Sequence, residues 1–253
     1  MLRGGAKLKT NQEARGSEQE AVHIIDDDTS VRSALVNLLE SAGLKACSYG
    51  SVDAFLHKSS NINAGCLLID IRLPGLNGLE FLGKMTGLGL RMPAILITGH
   101  GDIPMTVKGM RAGAIDFLTK PFHASEVIAA VSTALIIDRS RRVDDNARAS
   151  LVASYESLTP RERQVMALVT AGKMNKQVAG DLNLSEITVK IHRGTLMKKM
   201  GVRTLPDLVR SAERLRHVIQ KSAISSASGL TAASDRVAGV HIVQNALADC
   251  ERH

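Results

Sequence analysis

The chain has 253 residues, of which 44% are hydrophobic, so it is long enough for one large or two ordinary domains and is not disordered throughout. Only 2% of the residues are aromatic and Trp is absent, which argues against the stacking platforms that bind single-stranded nucleic acid. The first 20 residues are polar, and no apolar run reaches the roughly 18 residues that a membrane span needs. We therefore expect a cytoplasmic protein without a membrane segment.

The charges are divided unevenly along the chain. Residues 21–137 contain nine Lys and Arg against ten Asp and Glu, whereas residues 151–221 contain thirteen against six. The C-terminal part therefore carries the net charge of +7. This asymmetry favours a polyanion-binding module attached to a nearly neutral one, although a solvated basic face would give the same count.

Short apolar runs alternate with amphipathic helical stretches between residues 21 and 137. The runs start 20 to 28 residues apart, which is the spacing of a strand followed by a crossover helix. We expect a doubly wound, five-stranded parallel sheet of the flavodoxin-like kind, in the α/β class. The five predicted strands are 22–25, 45–49, 66–69, 94–97 and 114–118.

The second half of the chain shows helical signals only. A long helix is predicted from 124 to about 142, leaving the α/β domain as a charged linker. Four short helices then follow, with Thr159, Asn175, Ser185 and Thr204 at their starts, as in a helix-turn-helix domain. We place the α/β domain at 21–137, a helical linker at 138–153 and the small all-α domain at 154–217. Residues 1–20 are expected to be disordered, and the tail 218–253 disordered or weakly helical.

Polar residues follow four of the predicted strands. Asp26, Asp27, Asp70, Thr98 and Lys120 all stand at the carboxyl ends of strands, where open α/β sheets bind ligands. Three carboxylates so close together would repel one another unless a divalent cation and an ammonium group share the site. Oxygen ligands without His or Cys favour Mg²⁺.

Asp70 is the candidate nucleophile of this cluster, because its strand is the most apolar and is predicted to be central. A carboxylate can form an aspartyl-phosphate, and Mg²⁺, Lys120 and the Thr98 hydroxyl could stabilise the charge of the phosphoryl group in the transition state. Taken singly, an Asp at a strand end is more often a helix cap than a nucleophile. The hypothesis depends on the joint pattern.

Several motifs make the resemblance to a known family plain. The chain resembles two-component response regulators of the FixJ/NarL family over about residues 21–217, with a receiver domain followed by a LuxR-type helix-turn-helix. The receiver motifs are IIDDD at 24–28, LIDIRLPGLNG at 68–78, ITGHG at 97–101 and DFLTKPF at 116–122. The helix-turn-helix motifs are LTPRE at 158–162, EITVKIH at 186–192 and KKMGV at 198–202.

The resemblance implies a role for each receiver residue. Asp70 would accept a phosphoryl group from a sensor histidine kinase, and Thr98 and Lys120 would contact that group. Phe117 would be the aromatic side chain that switches position on phosphorylation, and the bond before Pro121 would be cis. The implied Mg²⁺ ligands are Asp26, Asp27, Asp70 and the backbone carbonyl of Arg72.

The third helix of the C-terminal domain is the predicted recognition helix. One of its faces is apolar, and the opposite face carries Lys190, Ile191 and Gly194. In a major groove, Lys190 could donate to guanine and Ile191 could meet a thymine methyl, whereas Gly194 lacks the side chain of the third base-reading position that the family has. The candidate phosphate contacts are Asn175, Lys176, Thr188, Arg193, Lys198 and Lys199.

The predicted function is transcriptional regulation. Phosphorylation at Asp70 would permit dimerisation and binding to promoter DNA, with RNA polymerase as a further partner and no enzymatic activity beyond the chain's own phosphotransfer and dephosphorylation. One alternative is a phosphate sink or protein-binding regulator that never touches DNA. Another is an aspartyl-phosphate hydrolase of the haloacid dehalogenase type. Those enzymes have a second Asp two residues after the nucleophile, where this chain has Arg72. They also need a cap domain large enough to enclose a substrate, and no segment of this sequence is expected to form one.

Overall fold

The computed structural model describes residues 20–58, 64–99 and 103–227. The chain divides into two compact units between Val143 and Asp144, inside the segment predicted as the linker. Residues 1–19 and the part of the tail after residue 227, for which disorder or weak helix was predicted, lie outside the described residues.

The first unit is built on a parallel sheet of five strands. They are β1 (Ala21–Ile25), β2 (Ala46–Tyr49), β3 (Gly65–Asp70), β4 (Ala94–Thr98) and β5 (Asp116–Thr119). Their order is β2-β1-β3-β4-β5, and every neighbouring pair is parallel. This confirms the predicted doubly wound, flavodoxin-like arrangement, including the central place of β3.

Helices cover both faces of this sheet. They are α1 (Thr29–Ser41), α2 (Val52–Lys58), α3 (Gly78–Met85), α4 (Ile103–Arg111) and α5 (Ala124–Glu156). Leu39 of α1 and Val131 of α5 pack in one apolar core, and Phe55 of α2 and Phe81 of α3 pack in the other. Because β1, β3 and β4 are buried on both faces, they are almost continuously apolar. The carboxyl edge of the sheet remains for polar side chains.

The second unit is helical. It contains α6 (Pro160–Thr170), α7 (Asn175–Leu182), α8 (Glu186–Lys199) and α9 (Leu205–Ala227), packed around a separate apolar core. The predicted capping box of α6 is confirmed, since the Thr159 hydroxyl accepts from the Glu162 backbone N–H and the Glu162 carboxylate accepts from that of Thr159. Ser185 caps α8, also as predicted.

Three predicted helix boundaries were wrong. The helix expected to end near residue 142 continues to Glu156, and α9 reaches Ala227 instead of stopping near His217, because neither extension contains a Gly or Pro to end it. Residues 218–227 of the predicted tail are therefore helical. Asn175 is the first residue of α7 and not its cap, since the Gln177 side chain accepts from the Met174 backbone N–H before it.

In the described part of the chain, no helix has the length and apolar character to span a membrane.

Candidate functional site

The carboxyl edge of the sheet gathers two carboxylates around one ammonium group. Asp26 directly follows β1, Asp70 ends β3 and Lys120 directly follows β5. The Lys120 Nζ donates to Asp26 Oδ2 at 2.7 Å and to Asp70 Oδ2 at 2.5 Å. Asp26 is fully buried and Asp70 is 6% exposed, so neither carboxylate is fully solvated. The structure therefore brings together the predicted residues of three different strands.

Asp27 adds a third carboxylate to this cluster. Each of Asp26, Asp27 and Asp70 offers an oxygen within 4.8 Å of the other two, and Asp27 is exposed. Three carboxylates against one ammonium leave a local excess of negative charge. The donor set is oxygen only and open to solvent on the Asp27 side, which fits Mg²⁺ because that ion uses few carboxylates and keeps several waters.

The pKa shifts in the cluster follow from burial and pairing. Burial raises the pKa of Asp26, although the Lys120 ammonium and the Asp28 backbone N–H both donate to it. Burial opposes the charged form of Lys120, but its hydrogen bonds to Asp26 and Asp70 outweigh burial and raise its pKa. Lys120 is therefore a fixed positive charge at neutral pH, placed between two carboxylates.

Thr98 lies on β4, next to the strand that carries Asp70, and Phe117 lies on β5, one strand further along the sheet. Thr98 is fully buried at the end of β4, and its carbonyl accepts from the Lys120 backbone N–H at 2.7 Å. Phe117 is half-buried and pairs with Leu96 in the sheet. Because strand side chains alternate, Thr98 and Phe117 share the face of Leu96, two positions apart in register. The peptide bond between Lys120 and Pro121 is cis, as the resemblance implied.

Two positioning residues of this site were missed in the sequence. The Arg32 guanidinium on α1 donates to the backbone carbonyls of Asp26 and Asp27 at 2.6 and 2.9 Å, which fixes the loop that carries both carboxylates. A Cβ added at Gly78 would lie 2.3 Å from the Asp70 carbonyl oxygen, so only glycine fits where the loop after β3 folds back. The sequence feature that could have indicated this role is the position of Arg32, one turn into the helix that follows the three aspartates at 26–28.

Arg72 is exposed, and its backbone N–H donates to Asp70 Oδ1 at 2.9 Å. This hydrogen bond orients the Asp70 carboxylate from the loop side, whereas Lys120 holds the other oxygen. The predicted role of the Arg72 carbonyl in metal binding stays a prediction.

The predicted recognition helix α8 has the expected two faces. Val189 and Leu196 are fully buried in the core of the second unit, whereas Lys190, Ile191 and Gly194 are exposed. Ile191 keeps 63% of its surface exposed. The side that was predicted to read bases is therefore open to a partner.

The predicted phosphate contacts fall into two groups. Lys176 and Lys198 are exposed, whereas the other four have hydrogen-bond partners in the fold. Those bonds join Arg193 Nη1 to Asn175 Oδ1 at 3.1 Å, Thr188 Oγ1 to Ser185 Oγ at 2.8 Å and Lys199 Nζ to Glu162 Oε2 at 2.7 Å. Lys199 also donates to the Ser157 carbonyl at 3.1 Å. Its side chain therefore joins α8 to the capping box of α6.

Glu162 is the buried partner in that contact. Burial opposes its ionisation, but hydrogen bonds from Lys199 and from the Thr159 backbone N–H outweigh burial and lower its pKa. Glu162 is therefore ionised at neutral pH and needs the Lys199 ammonium. The sequence predicted the capping box but not this ion pair.

An acidic strand-end site on a parallel α/β sheet and a separate basic helix-turn-helix unit are the two parts of a DNA-binding response regulator. Comparisons with known proteins agree with this class. Residues 22–132 match the response regulator receiver domain family, and residues 156–212 match the luxR family of bacterial regulatory proteins. The chain therefore belongs to the response regulators that join a receiver domain to a LuxR-type DNA-binding domain.

Individual relatives match along most of their length. Nodulation protein W of Bradyrhizobium diazoefficiens is 48% identical over 199 residues, which cover 79% of this chain and 88% of the relative. The transcriptional regulatory protein FixJ of Rhizobium meliloti is 40% identical over 193 residues, which cover 76% and 94%. The solved structure of the response regulator StyR has a TM-score of 0.72 at 41% identity and covers 78% of this chain and 99% of that one.

Proposed function

We propose that Asp70 is the residue that accepts the phosphoryl group, from a phosphohistidine of a sensor histidine kinase. The observation that carries the proposal is the placement of its carboxylate at the end of the central strand, 2.5 Å from Lys120 and within the acidic cluster. An Asp70 oxygen would attack phosphorus while the bond between phosphorus and the histidine nitrogen breaks. The histidine leaves as a neutral imidazole that keeps the proton on its other ring nitrogen, and a mixed anhydride remains on Asp70.

The other residues of the site have distinct parts in this transfer. Bound Mg²⁺ would neutralise the negative charge of the three carboxylates and the phosphoryl oxygens. Asp26, Asp27, Asp70 and the Arg72 carbonyl would hold it. Lys120 is held by Asp26 and would move its second hydrogen bond from Asp70 to the phosphoryl group, where the Thr98 hydroxyl also donates.

Phe117 would connect this chemistry to the surface of the receiver. It shares a sheet face with Thr98 and is half-buried, so a movement of Thr98 towards the phosphoryl group leaves space for the ring. The changed surface of β4 and β5 would then permit dimerisation. A dimer places two recognition helices on paired half-sites of promoter DNA, which multiplies a weak single contact.

On DNA, the exposed face of α8 would enter the major groove. Lys190 and Ile191 would contact bases, and Asn175, Lys176, Thr188, Arg193, Lys198 and Lys199 would contact phosphates. We further propose that the chain acts in the cytoplasm and contacts RNA polymerase at its promoters.

Phosphorylation of the full chain by acetyl phosphate tests the assignment of Asp70. With Mg²⁺, the intact mass should rise by one phosphoryl group in the wild type and in Asp53→Asn, an exposed carboxylate on α2 that serves as the matched control. Asp70→Asn should show no gain, and removal of Mg²⁺ should abolish the gain in the wild type. An Asp70→Asn variant that gains mass at the wild-type rate contradicts the proposal.

A gel-shift series over salt concentration separates this function from a phosphate sink. The phosphorylated wild type should bind a duplex selected from a randomised library more tightly than the unphosphorylated protein, and binding should weaken steeply with salt. A phosphorylated protein that enriches no duplex would favour the phosphate sink.

A further inference from the structure

One row of residues runs along the outermost side of the recognition helix. Positions 187, 191, 194 and 198 recur at spacings of three and four, so they lie on one side of α8, opposite the buried Val189 and Leu196. Ile187 is 71% exposed and Ile191 is 63% exposed, which makes this row apolar at its start. Ile191 was predicted to meet a thymine methyl, whereas no contact was predicted for Ile187.

Two isoleucines four residues apart are neighbours on a helix surface. Each leaves most of its apolar surface in water, although isoleucine is a residue that folding usually buries. A single exposed isoleucine needs no explanation, but an adjacent pair on a small basic unit forms an apolar patch, and such patches mark binding surfaces.

Gly194 continues the same row and leaves this part of it without a side chain. It lies inside α8, where glycine costs about 1 kcal/mol relative to alanine. A Cβ added there would meet no atom within 4 Å, so neither packing in the unit nor a left-handed backbone requires glycine. A binding partner whose surface must come closer to the helix axis than a Cβ allows would explain why glycine stands here.

The charges around the row identify the kind of surface. Lys198 ends the row, Lys190 and Arg193 lie beside it on α8, and Glu186 is the one carboxylate of this helix. A basic rim around an apolar centre fits a polyanion that carries exposed methyl groups. The major groove of B-form DNA offers these on thymine, beside the phosphates.

We propose that Ile187, Ile191 and Gly194 form a thymine-reading strip, in which the two isoleucines contact the 5-methyl groups of neighbouring thymines and Gly194 lets the helix backbone sit close to the base edges. Ile187 and Gly194 thereby determine specificity. This inference rests on the proposed DNA-binding function and adds the base chemistry of its target.

Deoxyuridine substitution tests the methyl contacts without altering any base-pair hydrogen bond. The probe is a duplex selected by the phosphorylated wild type from a randomised library, with its thymines replaced one at a time by deoxyuridine. Affinity should fall about fourfold at each of two neighbouring positions per half-site, the effect of one buried methyl group. Ile187→Ala should abolish the loss at one position and Ile191→Ala at the other. Ile136→Ala, which truncates an isoleucine on α5 that is 64% exposed, should keep the wild-type pattern.

Gly194→Ala tests the close approach with a readout that separates binding from folding. The variant should raise the unfolding temperature of the second unit, because alanine favours helix, yet bind the selected duplex at least fivefold more weakly. Gly83→Ala, in α3 of the receiver, also has no atom within 4 Å of an added Cβ and should leave DNA affinity unchanged.

Two results would overturn the thymine-reading strip while leaving DNA binding intact. One is equal affinity for thymine and deoxyuridine duplexes at every position. The other is a Gly194→Ala variant that binds as tightly as the wild type. If no duplex is enriched, the proposed DNA-binding function fails first and this inference fails with it.

Discussion

Lys120 of the receiver and Lys199 of the DNA-binding unit make similar contacts in different electrostatic settings. Each donates at 2.5 to 2.7 Å to a buried carboxylate, Lys120 to Asp26 and Asp70 and Lys199 to Glu162. Around Lys120, however, there are three carboxylates, whereas Lys199 meets one carboxylate and a neutral carbonyl.

The difference lies in charge balance. The pair of Lys199 and Glu162 is neutral as a whole and joins α8 to the start of α6, so the fold alone accounts for it. The cluster around Lys120 keeps an excess of negative charge that the fold does not neutralise, and such an excess costs free energy unless a cation binds. Charge balance therefore distinguishes the proposed cation site from a structural ion pair, even though the individual hydrogen bonds are alike.

Removing the receiver lysine should give the largest effect. Lys120→Met leaves three carboxylates without their ammonium partner and removes the proposed donor to the phosphoryl group, so the rate of phosphorylation by acetyl phosphate should fall about 100- to 1,000-fold. The measurement is intact mass against time at saturating Mg²⁺. Lys84→Met, at an exposed position of α3, is the control and should react at the wild-type rate.

His23 extends the comparison to a buried group that avoids charge altogether. Burial, together with the nearby Lys45 ammonium, lowers the pKa of His23 to about 4, and His23 Nδ1 forms a hydrogen bond with the Tyr49 hydroxyl at 3.3 Å. An unfolded histidine takes up a proton near its ordinary pKa of about 6.5, so between pH 6.5 and 4 the unfolded state binds more protons than the folded state. Stability is therefore complete above pH 6.5 and falls on acidification, by up to about 3 kcal/mol.

Urea unfolding of the wild type and of His23→Gln over this pH range measures the stability that His23 loses on acidification. The free energy of unfolding of the wild type should fall relative to that of His23→Gln as the pH falls from 7 to 5. A difference that stays constant with pH would mean that His23 is not kept neutral by the fold.

The structural lysine should affect stability more than chemistry. Lys199→Met leaves the Glu162 carboxylate buried without its partner and should lower the free energy of unfolding of the second unit by about 1–3 kcal/mol. Phosphorylation at Asp70 should be unchanged. Lys198→Met, the exposed neighbour on the same turn, is the matched control and should leave stability within about 0.5 kcal/mol.

DNA binding of the same two variants sharpens the assignment. If both lysines contact phosphates, each variant should flatten the salt dependence of binding by about one unit of slope. A Lys199→Met variant with the wild-type slope would show that its ammonium serves the fold alone.

Most of the receiver could be predicted because its signals are local. A strand buried on both faces is a continuous apolar run, and the polar residue that ends each run lies at the same edge of the sheet. Asp26, Asp70 and Lys120 met there as expected. The capping residues Thr159 and Ser185 were likewise visible within a few positions.

What could not be predicted depends on contacts between distant segments. The buried Asp138 carboxylate accepts from the backbone N–H of the distant Gly65 at 2.9 Å, whereas its pairs with Arg141 and Arg142 are local ones, three and four residues along the same helix. The pairing of Lys199 with Glu162 is equally remote in the chain. The helix that contains the charged run after residue 138 was predicted to end near residue 142, whereas it continues through the predicted linker to Glu156.

Calorimetric unfolding of Asp27→Asn and Glu162→Gln, each with and without Mg²⁺, tests whether the excess negative charge around Lys120 forms a cation site. Asp27 is exposed and belongs to the cluster with excess charge, so its neutralisation should stabilise the receiver by about 1 kcal/mol without Mg²⁺ and remove most of the stabilisation that Mg²⁺ gives the wild type. Glu162→Gln should instead destabilise the second unit equally in both conditions. Two results would show that the carboxylates around Lys120 do not form a cation site. One is an Asp27→Asn protein that is less stable than the wild type without Mg²⁺. The other is an Asp27→Asn protein that still gains the full wild-type stabilisation from Mg²⁺.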